Sequence, residues 1–169
     1  SFALYVPRDI VTDLISAGRL ARVGLASWTC GVSFSDIEGF TTMCERVPSA
    51  DLCPMLVAYF DAATASFMTH GGTVDKFIGD GIMVLWGAPL AIDGPATRAV
   101  AAALDLGRIQ QGVVAQKFAH HGVTLRVRIG VHYGEVLAGN IGSSSRLSYT
   151  VLGDVVNTSA RLEGANKAS

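Results

Sequence analysis

A chain of 169 residues, half of them hydrophobic and only 16% charged, is long enough for one domain with a sizeable core and too apolar for disorder. Its formal net charge of -1 excludes a protein that holds nucleic acid through a general positive field. Cys30, Cys44 and Cys53 form no CxxC pair and read as buried reduced thiols, which suit a cytoplasmic setting. No signal peptide opens the chain and no apolar run reads as the ~20 residues of a membrane span, so this segment is not expected to insert into a membrane.

In chain order, residues 1–28 read as an entry segment. Pro7 starts a short helix through Ile15, Gly18 ends it, and 19–27 continues as a linker of the kind that joins a fused regulatory domain. A strand follows at about 29–35, where Cys30, Val32 and Phe34 alternate with Gly31, Ser33 and Ser35. Gly39 breaks it and a helix begins near Thr41, which leaves Asp36 and Glu38 on a strand-to-helix turn. Residues 50–70 carry Leu52, Leu56, Tyr59, Phe60, Ala63 and Phe67 at helical spacing, with Gly71-Gly72 as the stop.

Residues 73–78 and 82–86 are apolar segments around Gly79-Asp80-Gly81, a hairpin signal with Asp80 at its tip. Asp93 reads as the N-cap of a long helix that runs to the break at Gly122, with a stripe of Ala99, Val100, Ala103, Leu104 and Leu106. Val123 to Val131 alternate strictly as a strand, Gly134 reads as a turn, and 135–141 as the next strand. A loop at 142–145, a strand at 147–152 and a helix at 155–163 complete the chain. The order predicts an α+β fold with one mainly antiparallel sheet and helices packed on it.

Asp36 and Asp80 are each expected at a strand end beside a glycine-assisted turn. If the strands are neighbours their carboxylates converge, and two such groups repel unless cations sit between them. Hard divalent ions match that oxygen set and keep room for phosphate oxygens. Read singly, Asp36 is equally a helix cap and Asp80 a turn filler. Lys76, in an otherwise apolar strand, is either an edge lysine or a donor to a nucleobase. Asn157 and Arg161, four apart, share a helix face that is either solvated or suited to phosphate oxygens. Arg128 is a further phosphate candidate.

Phe34-Ser35-Asp36-Ile37-Glu38-Gly39-Phe40-Thr41, Lys76-Phe77-Ile78-Gly79-Asp80-Gly81, Arg128-Ile129-Gly130-Val131-His132 and the run from Tyr149 to Glu163 resemble class III nucleotidyl cyclase catalytic domains, in the family's order, over residues 29–163. The resemblance implies a ferredoxin-like, palm-like core in a catalytic domain spanning 29–169. It further implies an adenylyl cyclase that turns ATP into 3′,5′-cyclic AMP and pyrophosphate with two divalent cations, Mg²⁺ or Mn²⁺. By position, Asp36, Asp80 and the carbonyl of Ile37 look like the metal ligands, and Gly39, Phe40 and Thr41 like the phosphate cradle with Arg128. Asn157 looks like the ribose-orienting residue and Arg161 like the one that stabilises the pentavalent phosphorus. A head-to-tail homodimer with shared sites is implied, because in this family the two aspartates of one subunit face the Asn and Arg of the other.

Two departures stand out. Lys76 is present, but its usual partner aspartate is Thr150, a Lys–Thr pairing that resembles a subgroup including bicarbonate-responsive cyclases. Guanylyl cyclases typically place glutamate and cysteine at these two positions, so ATP is favoured. The domain also reads as lacking its C-terminal part. A guanylyl cyclase and a catalytically silent nucleotide-binding module are the competing readings.

Overall fold

The computed structural model describes residues 24–143 and 146–166, and the expected helix at 7–15 lies outside them. Strand β1 spans Gly24–Ile37 and is followed by α1 (Phe40–Arg46) and α2 (Ser49–Thr69). The hairpin β2 (Thr73–Ile78) and β3 (Gly81–Trp86) leads to α3 (Pro95–Arg108), a single 3₁₀ turn (Ile109–Gln111) and α4 (Val113–Ala119). Strands β4 (Val127–Ser143) and β5 (Arg146–Leu152) and helix α5 (Asp154–Ala165) close the fold.

The five strands form one antiparallel sheet in the order β2-β3-β1-β4-β5. β1 therefore lies at the centre, with the hairpin on one side and β4 on the other. This is the α+β arrangement expected from the sequence.

Period-two alternation divides the side chains between two cores. On one face, Ile82, Val84 and Trp86 pack with Met55, Tyr59, Ala63 and Phe67 of α2 and with Ala99, Ala102 and Leu106 of α3. On the other, Cys30, Val32, Met83, Leu85, Val136 and Ala138 pack with Val151 and with Val155 of α5. The Ser159 hydroxyl fixes α5 to this second face, bonding to the carbonyl oxygens of Val32 and Gly130 at 2.9 Å each.

Several sequence expectations are corrected. Residues 24–27 belong to β1 rather than to a linker. The two strands expected at 123–131 and 135–141 are one 17-residue strand that begins at Val127. Gly134 makes no turn there; a Cβ on it would come within 2.7 Å of Val155, so its role is to let α5 approach.

The long helix from 95 breaks into three pieces, and its buried stripe is Ala99, Ala102 and Leu106, leaving Val100 and Leu104 exposed. Its N-cap is Gly94 at φ 60°, not Asp93. Cys44 and Cys53 are exposed; only Cys30 is buried.

Helix α2, 21 residues with Asp51 and Asp61 as its only charged side chains, is long and apolar enough to cross a membrane by length and composition. Four of its residues, Met55, Tyr59, Ala63 and Phe67, are instead packed against the sheet.

Candidate functional site

The C-terminal end of β1 and the β2–β3 turn meet at one corner of the sheet. In the register, Phe34 pairs with Met83 and Ser35 with Ile82, which brings the tip of the hairpin beside Asp36 and Ile37. Gly79 takes φ 61°, a conformation that glycine adopts without strain, and this places Asp80 at the tip. The amide of Ile37 donates to Asp80 Oδ2 at 2.8 Å, so the second aspartate is anchored to the residue after the first. Burial pushes the Asp80 carboxyl above the usual carboxylate range. The Ile37 amide and the residue's own amide oppose that, the nearby Asp36 charge adds to it, and Arg128 opposes it. The two carboxylates thus converge as expected.

Asp36 lies directly across the ladder from Arg128 of β4. The guanidinium forms a fork on the carboxylate, with Nε donating to Oδ1 at 2.8 Å and a terminal nitrogen to Oδ2 at 2.5 Å. Glu163 of α5 stands 3.4 Å from Arg128 Nε, and this bridge has no signal in the sequence beyond its position two turns after Val155. All three side chains are largely shielded, with Arg128 11%, Glu163 15% and Asp36 21% exposed. Under the corner, burial drives the Tyr59 hydroxyl pKa upward. Ser35 opposes that shift, and the charges of Asp80 and Asp36 reinforce it. The Tyr59 and Ser35 hydroxyls are close, yet neither completes a hydrogen bond of normal geometry.

The donor set fits a hard divalent cation. Two carboxylates meet at one corner, and among the described residues no third acidic, His or Cys side chain joins them. That number suits Mg²⁺, which is commonly held by one or two carboxylates while water and phosphate oxygens complete its octahedron. The Arg128 fork does not exhaust Asp36, since a carboxylate offers about four lone-pair directions. Gly39, at φ 71° and with open space around its Cα, begins α1, and Phe40 and Thr41 form its first turn. The backbone therefore turns at the site without a side chain in the way.

Asn157 and Arg161 share one exposed side of α5. Ser159, two residues from each, points into the sheet, and two helical steps are about 200° of rotation. Both side chains therefore face away from the Asp36 corner of their own chain.

Lys76 and Thr150 stand on the two edge strands, β2 and β5, with three strands between them. Lys76 shares its face with Met83. Thr150 pairs with Gly139. The charge of Asp75, beside Lys76, acts on Tyr149 of β5, which packs on the same face as Met83.

Among the described residues, the arms of β1, β4 and β5 carry an exposed apolar face. Leu25, Tyr133, Leu137 and Leu152 are all exposed there, and the register and alternation place them on one side.

Comparison with known proteins gives a consistent result. The family profile for the adenylate and guanylate cyclase catalytic domain matches residues 26–169. Adenylate cyclase 1 of Rhizobium meliloti (strain 1021) is 36% identical over 169 residues, which is 99% of this chain but only 25% of that protein's length. The crystal structure of the guanylyl cyclase Cya2 superposes with a TM-score of 0.78 at 36% identity, covering 85% of this chain and 73% of that one. The adenylyl cyclase CyaB from P. aeruginosa gives 0.78 at 33%, covering 85% and 74%.

Proposed function

Because the chain belongs to the adenylate and guanylate cyclase catalytic-domain family, we propose that it converts ATP to 3′,5′-cyclic AMP and pyrophosphate as a cytoplasmic enzyme. The observation that carries the reading is the corner where Asp36 and Asp80 converge beside the open turn at Gly39. Two divalent cations, Mg²⁺ or Mn²⁺, held by these carboxylates and the Ile37 carbonyl, would supply activation of the ribose 3′ oxygen and neutralise the triphosphate. In the reaction that oxygen attacks the α-phosphorus and pyrophosphate leaves.

The chain's own residues divide the remaining work. The amides of Gly39, Phe40 and Thr41 cradle phosphate oxygens, and Arg128, already at the corner, exchanges part of its fork on Asp36 for them. Lys76 and Thr150 are the pair that selects the purine, with lysine donating to adenine N1 and the threonine hydroxyl accepting from the N6 amine. Asn157 orients the ribose. Arg161 meets charge that develops on the pentavalent phosphorus, so it acts on turnover more than on binding.

The orientation of Asn157 and Arg161 away from their own corner supports a head-to-tail homodimer in which each site draws on both chains. The bare apolar face around Leu137 and Leu152 supports the same assembly, since exposed patches of this kind mark association surfaces.

Guanylyl cyclase activity is the second reading, favoured by the 36% identity to Cya2. Turnover of ATP and GTP measured side by side with Mg²⁺ and with Mn²⁺ separates them, and ATP is expected to be preferred. A preference for GTP would transfer the assignment, and no cyclic product from either would point to a silent nucleotide-binding module. The Lys–Thr pairing extends the reading to activation by bicarbonate. Titrating bicarbonate at constant pH should raise the rate with ATP, and a flat response removes that extension.

A further inference from the structure

Strand β2 carries a β-bulge. Val74 pairs with Val84 and Lys76 with Met83, so Asp75 has no partner of its own on β3. Without the bulge, alternation would send Asp75 and Lys76 to opposite faces. With it, the flanking residues identify the faces. Val74 packs in the helix-covered core, and the Phe77 ring meets Phe60 of α2 with centroids 4.9 Å apart. Lys76 is across from Met83, on the other face, and the extra residue Asp75 joins it there.

The resulting pair is asymmetric. The Asp75 side chain is 4% exposed while that of Lys76 is 43% exposed, with Lys76 Nζ 3.1 Å from Asp75 Oδ2. The contact is an ion pair whose angles fall short of a hydrogen bond, so Oδ2 keeps unused acceptor capacity. Burial pushes the Asp75 carboxyl above its ordinary range, and the Lys76 charge pulls it back. Its charge also reaches Tyr149, whose hydroxyl is pushed up to about 12 chiefly by burial and has no hydrogen-bond partner. A carboxylate buried on an edge strand is costly unless its cation stays in place. The arrangement therefore holds a lysine ammonium at the mouth of the face, anchored from below.

We propose that Asp75 is a positioning residue for base selection: paired through the β-bulge, it holds the Lys76 ammonium where it reads adenine N1. The inference rests on the cyclase reading of Lys76 given above. An unanchored lysine carries about 2 kcal/mol of rotamer freedom and can swing to whichever acceptor a purine offers, including guanine O6. The pairing removes that freedom, so the base must fit the ammonium rather than the reverse. The position that would carry the usual carboxylate is Thr150, with three strands between it and Lys76 in the sheet order, while Asp75 places a carboxylate beside Lys76 itself.

The test compares Asp75→Asn, Asp75→Glu, Lys76→Met and the double variant Asp75→Asn/Lys76→Met in the full chain. Cyclisation of ATP and GTP is measured alongside binding of 3′-deoxy-ATP and 3′-deoxy-GTP, which cannot cyclise. The ATP-to-GTP ratio of kcat/KM should fall about tenfold in Asp75→Asn, mostly through KM, the size expected when the charged hydrogen bond from Lys76 to the base is lost. The binding ratio should fall in parallel, Asp75→Glu should recover part of the loss, and the double variant should be no worse than Lys76→Met alone.

Unchanged ratios in Asp75→Asn, or additive effects in the double variant, overturn the proposal. If Asp75→Asn does not fold, Asp75→Glu decides by the same ratios against the parent. If the parent makes no cyclic product, the cyclase reading fails by itself. The 3′-deoxynucleotide ratios then still decide for or against Asp75, and a parent that binds neither nucleotide overturns both.

Discussion

Alanine at Asp36 is expected to lower turnover by about a thousandfold or more, since a metal clamp supplies several kcal/mol to the transition state and each 1.36 kcal/mol is tenfold. The fold should survive, because Arg128 keeps Glu163 within 3.4 Å when its Asp36 fork is lost. A thermal midpoint measured beside the activity separates a dead site from an unfolded one.

The more discriminating result comes from mixing. Arg161→Ala should be as inactive as Asp36→Ala, because in the proposed mechanism Arg161 meets charge that exists only in the transition state. In a head-to-tail dimer the two defects lie in different halves of each site. A mixed dimer then has one site with both defects and one with none. Random association of equal amounts gives half mixed dimers, so activity should return to about a quarter of the parent value. Recovery that peaks at equal amounts supports shared sites. No recovery at any ratio would refute them, and each chain would then have to bring Arg161 to its own Asp36, against the orientation fixed by Ser159.

The half of the site on β1 and the hairpin was legible in the sequence for a local reason. Glycine on both sides of Asp80 leaves few turn conformations, and a two-residue turn fixes the register of the strands it joins. Once β3 lies beside β1, the convergence of Asp80 with Asp36 follows. What was not legible depends on distant parts of the chain. Gly134 reads as a turn because glycine usually marks one, and only the approach of α5 shows that it is a clearance in a long strand. The pairing of Asp75 with Lys76 rests on a bulge, which has no signature in period-two alternation. The link from Glu163 to Arg128 needs α5 laid along β4, which the sequence order does not state. Cys44 and Cys53 failed for a related reason: an apolar neighbourhood in a helix identifies a stripe only once the buried face is known, and that face runs through Met43 on α1 and Met55 on α2.

Replacing Gly130 by alanine should be among the most damaging single changes in the chain, although it adds one methyl group. A Cβ there would lie 2.3 Å from both the Glu163 amide nitrogen and the Ser159 carbonyl oxygen, and 2.9 Å from the Leu162 carbonyl carbon. All three atoms are backbone of α5, so no side chain can turn aside to make room. The helix must move outward by about 1 Å or more to restore ordinary contact distances. That shift stretches the two 2.9 Å bonds from the Ser159 hydroxyl, which hold α5 to β1 and β4.

The expected cost is about 3 kcal/mol, the upper end for overpacking, and in a domain of this size that lowers the thermal midpoint by roughly 6–12 °C. Gly107→Ala in α3 is the control. Its new Cβ meets only Gln110 Nε2, at 3.9 Å, so it should be neutral or more stable by up to about 1 kcal/mol. The same movement should reach the chemistry, because α5 carries Asn157, Arg161 and Glu163 on one rigid body. Gly130→Ala held below its lowered midpoint should lose turnover even where it remains folded, whereas Gly107→Ala should keep it. A Gly130→Ala protein with the parent's midpoint and activity would mean that α5 does not rest on β4 at this glycine. The placement of Asn157 and Arg161 would then have to be drawn again.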